Sequence, residues 1–206
     1  MNKRDYKNFV SNSIFHIYNR GNNKEKIFLD DQDYKAFLFR IGMALGFTQE
    51  ELNQDKNLTL PYSRIRIIDM YKNNFKLHAF CLMPNHFHLL IEQCGDISLS
   101  KFISKICTSY AKYMNKKYKR VGHVFQDKFK SVLIGDNPQL MWASSYIHTN
   151  PVKDGLVKHP KEHKWSSYCD FIGDRNLLIT HTNLILETFG NKSDFEKQTI
   201  YVKDGL

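Results

Sequence analysis

The chain has 206 residues and a formal net charge of +9, so it is long enough to bury the core of one domain and favours a polyanionic partner such as nucleic acid. It has neither a run of about eighteen apolar residues nor a hydrophobic signal segment, so we expect a cytoplasmic protein without a membrane partner. The cysteines at 81, 94, 107 and 169 have no Cys-x-x-Cys spacing, which argues against a disulfide framework or a zinc ribbon.

The N-terminal third alternates between strand and helix patterns. Residues 13–19 are β-branched and aromatic and stop at a turn-rich Arg20-Gly21-Asn22-Asn23, which predicts a first strand. Asp30 or Asp31 caps a predicted helix, whose apolar residues recur at three- and four-residue steps to about Gly46. Polar composition predicts an irregular surface insertion over 47–62.

The rest of the core sequence predicts three or four further strands and two further helices. Residues 64–70 are either a short strand or the end of the insertion, and strands 75–83 and 86–93 are joined at Pro84-Asn85. A helix from Ser98 to about Tyr118 and a strand over 130–135 follow. The last predicted helix is capped by Asn137 and ends before Pro151. This order predicts an α+β fold, a ferredoxin-like split βαβ sandwich with a central antiparallel sheet and helices. We expect one domain over 1–206, with a core of about 10–155 and a C-terminal extension of about 156–206.

Positive charge is concentrated between Lys101 and Lys130. This segment contains nine basic residues and one acidic residue, Asp127, so it carries +8 of the net charge of +9. Aromatic residues interleave with the lysines, and bases could stack on such rings. A solvated lysine-rich helix face is the usual cause of such a run, and Tyr110 and Tyr113 have the spacing of core residues. Charge alone therefore leaves both explanations open.

The stretch MPNHFHLLIE contains His86 and His88, which project to the same side of the predicted strand and could share one cation. Such a pair is a weak signal, and a metal site would need at least one more protein ligand. On the last predicted helix, Tyr146 and Asn150 lie one turn apart. That spacing places a phenol beside an amide that could be the third ligand, although a packed helix tyrosine is the commoner case.

Five stretches together carry a family resemblance: HIYNRGNN, AFCLMPNHFHLLIE, YAKYMNKKYKRVGHVFQDKFKS, YIHTNPVKDG and WSSYCDFIG, in order over residues 13–173. They resemble the single-tyrosine HUH transposases of the IS200-like type, and particularly the relatives associated with repetitive extragenic palindromes (REP). The resemblance implies that His86, His88 and Asn150 bind Mg²⁺ or Mn²⁺. It also implies that Tyr146, rather than Tyr110 or Tyr113, attacks a DNA phosphodiester and forms a 5′-phosphotyrosine.

The partner implied by the resemblance is single-stranded DNA with hairpin or palindromic elements, bound in the nucleoid. The DNA-binding residues that resemblance and charge indicate are Arg20, Lys112, Lys116, Lys117, Lys119, Arg120, His123, Gln126, Lys128 and Lys130. For His123 and Gln126, local packing is an equal alternative. A domesticated protein that binds hairpins without cutting and a zinc hydrolase of small molecules are the competing functions. Because the insertion and the C-terminal extension exceed the compact enzymes that share active sites between subunits, either a monomer or a homodimer is expected.

Overall fold

The computed structural model describes residues 12–60 and 73–204, so the short strand predicted at 64–70 lies outside the described residues. The elements are, in chain order, β1 (Ser13–Arg20), a 3-10 turn (Asn22–Lys24), α1 (Asp31–Leu45), α2 (Gln49–Gln54), β2 (Phe75–Met83), β3 (His86–Gln93), α3 (Leu99–Lys117), β4 (Lys130–Ile134), α4 (Asn137–Lys153), a second 3-10 turn (Pro160–Glu162), α5 (Tyr168–Ile172), α6 (Asn183–Phe189) and α7 (Lys192–Asp204). No helix among the described residues is both long and apolar enough to span a membrane.

The four strands form one sheet in the order β2-β3-β1-β4, with every neighbouring pair antiparallel. Helices α1 and α3 connect β1 to β2 and β3 to β4, which is the split βαβ connectivity. The predicted ferredoxin-like α+β sandwich is therefore confirmed. One apolar face of the sheet, including Ile17, Phe87 and Leu89, packs with α1 and α3 into the larger core.

The opposite face of the sheet is covered by α4 and the C-terminal helices. Ala79, Cys81 and Leu90 of the sheet share a second core with Ile147 of α4 and Phe195 of α7. The molecule thus has three layers, with the sheet in the middle. Because side chains alternate along a strand, each strand contributes to both cores.

The segment from His163 to Ser167 runs along the exposed edge of β2. Ser167 N–H donates to the Phe80 carbonyl and Leu82 N–H donates to the Trp165 carbonyl, both at 2.9 Å. The Ser167 hydroxyl also lies 2.8 Å from Nε2 of His148 on α4. This segment therefore covers the edge of the sheet and ties α4 to it.

Two predictions about single elements are wrong. The predicted insertion is not irregular over its described residues 47–60: Thr48 caps helix α2, and Leu52 and Leu58 are fully buried against the larger core. The last helix continues through Pro151 and begins after Asp136, whose side chain accepts from Gln139 N–H. Proline only disfavours helical geometry in its predecessor, and packing of the buried residues before it outweighs that local preference here.

Candidate active site

The two predicted histidines lie on the α4 side of the sheet. The register of β1 and β3 pairs Tyr18 with His88 and Arg20 with His86, so these four side chains share one face. His86 is 7% exposed and His88 is 5% exposed, so both imidazoles are buried beneath α4. Burial lowers the pKa of each, most strongly for His88, which keeps both rings neutral as metal ligands require.

His86 is held so that its outer nitrogen faces Asn150. Nδ1 of His86 lies 2.6 Å from Oδ1 of Asn85, and the tautomer that donates Nδ1–H to this oxygen leaves Nε2 unprotonated. That nitrogen lies 3.2 Å from Oδ1 of Asn150, which is also an acceptor. Two facing lone pairs are favourable when a cation lies beside both, and neighbouring ligands of an octahedral ion with bonds of about 2.1 Å are about 3 Å apart.

His88 is positioned by a histidine that the sequence reasoning missed. Nε2 of His16, on β1, lies 2.9 Å from Nδ1 of His88, and the two rings stack with 5.1 Å between their centroids. Burial lowers the pKa of His16 to about 4. If His88 donates its Nδ1–H to this neutral imidazole, Nε2 of His88 is left free for a cation.

The available donors therefore fit a divalent cation: Nε2 of His86, Nε2 of His88 and Oδ1 of Asn150. Among the described residues no group of three or more His, Cys, Asp or Glu side chains could hold a metal ion, so an amide oxygen has to complete this set. The set carries no charge. A bound anion such as a phosphate would supply the missing negative charge.

Tyr146 projects from α4 toward the same histidines. Its ring stands edge-on to His88 with 5.6 Å between centroids and to His16 with 5.9 Å. Nζ of Lys153 lies 4.5 Å from the centre of the Tyr146 ring, and Trp142 stacks on it at 5.1 Å. The phenol predicted as the nucleophile is thus brought to His88 and His16 within one chain.

The competing tyrosines of α3 lie in the other layer. Tyr110 is fully buried in the larger core, and its hydroxyl donates to the Ile27 carbonyl at 2.6 Å. The Tyr113 hydroxyl donates to Oδ1 of Asp33 at 2.9 Å. Both hydroxyls are therefore committed to structural hydrogen bonds on the side of the sheet away from the histidines.

Part of the predicted DNA-binding set lines one cavity. Lys112, His123, Gln126 and Lys128 surround a space of about 840 Å³ between α3 and the loop at 122–129. The loop is held in place from β1, because Gln126 N–H donates to the Arg20 carbonyl at 2.9 Å and Asn19 Nδ2 donates to the Asp127 carbonyl at 3.1 Å. The cavity is therefore preformed and bordered by positive charge.

The remaining predicted cations differ in how free they are. Lys116 on α3 and Lys119 just after its end are exposed. Lys130 is also exposed, but it lies on the α4 side of the sheet, with its Nζ 5.9 Å from the centre of the Tyr18 ring. Lys117 is instead paired with Asp30 at 2.7 Å and with Asp33 at 2.8 Å. Arg120 is paired with Glu25 at 2.7 Å. These two charges are largely compensated within the protein.

Four residues at the site were not predicted: His16, Tyr18, Trp142 and Lys153. Alternation along β1 places His16 and Tyr18 on the face of Arg20, which was a usable signal. Trp142 and Lys153 lie four residues before and seven residues after Tyr146, so helical periodicity places them on its side of α4. The sequence does not show that α4 packs on the face of the sheet that carries the β1 residues His16 and Tyr18.

Comparisons with known proteins agree with this architecture. The family model described as "Transposase IS200 like" matches residues 62–150. A curated putative REP-associated tyrosine transposase from Haemophilus influenzae is 30% identical in an alignment 105 residues long, which covers 46% of this chain and 59% of that protein. The chain thus matches rather more than half the length of this relative. The resemblance to IS200-like transposases, and among them to REP-associated tyrosine transposases, is confirmed.

A solved structure shares the fold. It is that of a REP-associated tyrosine transposase bound to a REP hairpin, with a TM-score of 0.58, 16% identity, and coverage of 83% of this chain and 85% of that chain. At this level of identity the likeness concerns the fold alone. It extends beyond the family match at 62–150 to most of the chain.

Proposed function

We propose that this protein is a metal-dependent transposase or endonuclease that cleaves and rejoins single-stranded DNA at hairpin-containing sites in the cytoplasm. The observation that carries the proposal is the contact of one phenol with a buried imidazole of the predicted pair: the rings of Tyr146 and His88 stand edge-on at 5.6 Å. Asn150, one turn after Tyr146, lies 3.2 Å from His86. All four residues come from one chain, and we propose that the reaction takes place within a monomer.

Tyr146 is the nucleophile in this proposal. Its oxygen forms a bond to the scissile phosphorus while the bond from phosphorus to the 3′ oxygen breaks, and the 3′ oxygen leaves as a hydroxyl with the proton that the phenol releases. The products are a 5′-phosphotyrosine and a free 3′-hydroxyl. Attack by another 3′-hydroxyl reverses the step and joins new ends, and no ATP is consumed because the phosphodiester energy is kept in the covalent link.

His86, His88 and Asn150 are the residues that would hold Mg²⁺ or Mn²⁺. The chemistry that such an ion supplies is Lewis-acid polarisation of a non-bridging phosphate oxygen. Asn85 and His16 orient the two imidazoles through their Nδ1 atoms. These contacts would orient both imidazoles before the substrate arrives and leave their Nε2 atoms available to the ion.

Lys153 adds the electrostatic support that a phenol needs in order to react. Its ammonium group lies 4.5 Å from the centre of the Tyr146 ring, where it stabilises negative charge as that develops on the phenolic oxygen. Lys153 is close enough to act and is not a proposed metal ligand. Its role is therefore separable from metal binding.

The proposed substrate follows from the relatives and from the charge. One relative is named for REP association, and the solved structure of similar fold is bound to a REP hairpin. On this chain the cavity with Lys112 and Lys128 and the exposed Lys116 and Lys119 offer positive charge for the phosphates, and Lys130 adds positive charge on the α4 side of the sheet. DNA binding through these residues should weaken steeply as salt concentration rises.

The test is formation of a covalent adduct. A labelled DNA hairpin with single-stranded tails is incubated with the protein and Mn²⁺ and separated under denaturing conditions. We expect a protein–DNA adduct that needs the metal, is absent in Tyr146→Phe, and persists in the matched control Tyr113→Phe. An adduct in Tyr146→Phe would refute the assigned nucleophile, and tight binding without any adduct on REP-like hairpins would favour a binding protein that does not cut.

A further inference from the structure

Trp142 is an exposed indole beside the proposed nucleophile. Its side chain is 51% exposed, although α4 buries Leu140, Ala143 and Ile147 around it. Tryptophan is among the largest apolar side chains, and leaving half of it in water forgoes much of the stabilisation that burial would give. Its position at the site therefore calls for an explanation other than packing.

The indole continues a stack that starts at the catalytic face. Trp142 and Tyr146 lie one turn apart on α4, and their rings are nearly parallel, with an interplanar angle of 13° and 5.1 Å between centroids. Tyr146 in turn contacts His88 edge-on and lies beside the Lys153 ammonium. One face of the indole is thus covered by Tyr146, and half of the side chain stays exposed to solvent.

Among the described residues no other aromatic ring or cation lies against Trp142. Every ring contact of the indole within residues 12–60 and 73–204 is the stack on Tyr146. The indole therefore offers a flat apolar surface in line with the nucleophile. A ring that stacks there extends the column Tyr146–Trp142 by one member.

We propose that Trp142 is a stacking platform for one unpaired nucleobase, that of a nucleotide adjacent to the scissile phosphate. This rests on the proposed function and adds a base-binding subsite to it. Unpaired bases have exposed π-faces, and stacking on an aromatic side chain is tolerant of sequence. A base on Trp142 would bring its phosphate toward Tyr146 and toward the positive charge of Lys153.

Charge complementarity favours a nucleotide over an apolar partner. Lys153 lies at the Tyr146 end of the stack, 4.5 Å from the centre of that ring, and Lys130 and Arg20 lie farther along the same face of the sheet, at the adjacent ends of β4 and β1. A purely hydrophobic partner would have to desolvate these cations, whereas a phosphodiester pairs with them while its base covers the indole. Trp142 is accordingly a positioning residue for the substrate strand.

The chain provides its own fluorescent reporter for the test. It has two tryptophans, and the second, Trp165, is 9% exposed and stacked on Tyr34 at 4.7 Å. In Trp165→Phe, emission comes from Trp142 alone. Titration with a DNA hairpin bearing single-stranded tails, in EDTA to prevent cleavage, should quench that emission, and a blunt hairpin without tails should quench it much less.

Binding is followed in parallel by the anisotropy of labelled DNA. Trp142→Ala should lower the affinity for the tailed hairpin about tenfold, and Trp142→Phe, which keeps a ring, should lower it less. Circular dichroism checks that both variants fold. Tailed DNA that binds Trp165→Phe without altering its emission, or equal affinities for Trp142→Ala and the wild type, would overturn the platform while leaving the adduct test of Tyr146 intact. Failure of any DNA to bind would overturn both proposals.

Discussion

Lys116 and Lys117 are neighbours in sequence with opposite surroundings, and replacing each by methionine separates DNA binding from stability. Lys116 is exposed near the end of α3. Lys117 is only 24% exposed, and its Nζ contacts carboxylates of Asp30 and Asp33. Methionine keeps the length and helix preference of lysine and removes the charge, so the two variants form a matched pair.

The expected loss of stability in Lys117→Met follows from the two carboxylates. Asp33 is fully buried, and a hydrogen bond to a buried charged group contributes about 1.5–3 kcal/mol. Asp30 is 49% exposed, so its pair with Lys117 contributes about 1 kcal/mol at most. The hydroxyls of Tyr113 and Tyr118 still donate to Asp33 in the variant. We therefore expect the free energy of unfolding to fall by about 2–3 kcal/mol.

The assays are urea unfolding and salt-dependent binding of a tailed DNA hairpin. Lys116→Met should leave the free energy of unfolding within about 0.5 kcal/mol of the wild type and reduce the slope of log K against log salt by about 0.7. Lys117→Met should do the reverse, losing stability with a nearly unchanged slope. If Lys117→Met keeps the free energy of unfolding of the wild type and lowers the slope of log K against log salt, Lys117 binds a DNA phosphate and its ion pairs with Asp30 and Asp33 do not stabilise the fold.

Two further changes test the metal donors and the buried histidines. Asn150→Asp adds a carboxylate beside His86, so the Mn²⁺ affinity of the DNA-free protein, measured by calorimetry, should rise about tenfold. The coupling between metal binding and DNA binding should weaken, because the DNA phosphate then meets an anion. An unchanged Mn²⁺ affinity would show that Asn150 does not bind the metal. Burial lowers the pKa of His163, so below a pH of about 6.5 the unfolded chain binds more protons than the folded protein. The free energy of unfolding therefore falls as the pH drops below that value, by up to about 1.4 kcal/mol per pH unit for one group. In His163→Gln, whose amide can still donate to the Leu82 carbonyl, the unfolding free energy should fall less steeply between pH 6.5 and 5, and an equally steep fall would contradict the assignment.

The sheet and its two crossing helices could be predicted because their signals are local. Alternation in 86–93 placed His86 and His88 on one face whatever the strand paired with. The N-cap Asp30 and the left-handed Gly46 delimit α1 within one residue of the prediction. Since the order of elements then allowed few topologies, the fold followed from local patterns.

The partners of the site residues could not be predicted, because they depend on pairing across distant segments. His16 meets His88 only through the register of β1 with β3. The insertion looked irregular because polar residues dominate it, and the two leucines that bury it, Leu52 and Leu58, form no periodic pattern. The end of α4 was predicted too early, because proline disfavours helical geometry in the preceding residue, whereas the buried helix continues through Pro151 to Lys153.

The C-terminal extension gives a physical reason why Tyr146 meets the histidines of its own chain. The Ser167 hydroxyl lies 2.8 Å from His148 Nε2 on α4 and 2.9 Å from Phe80 N–H on β2, so one side chain joins the two elements that must stay in register. Phe195 of α7 also packs against His148, with 5.5 Å between ring centroids. Since residues after Gly155 hold α4 in this way, we expect them to fix the position of Tyr146 without a second subunit.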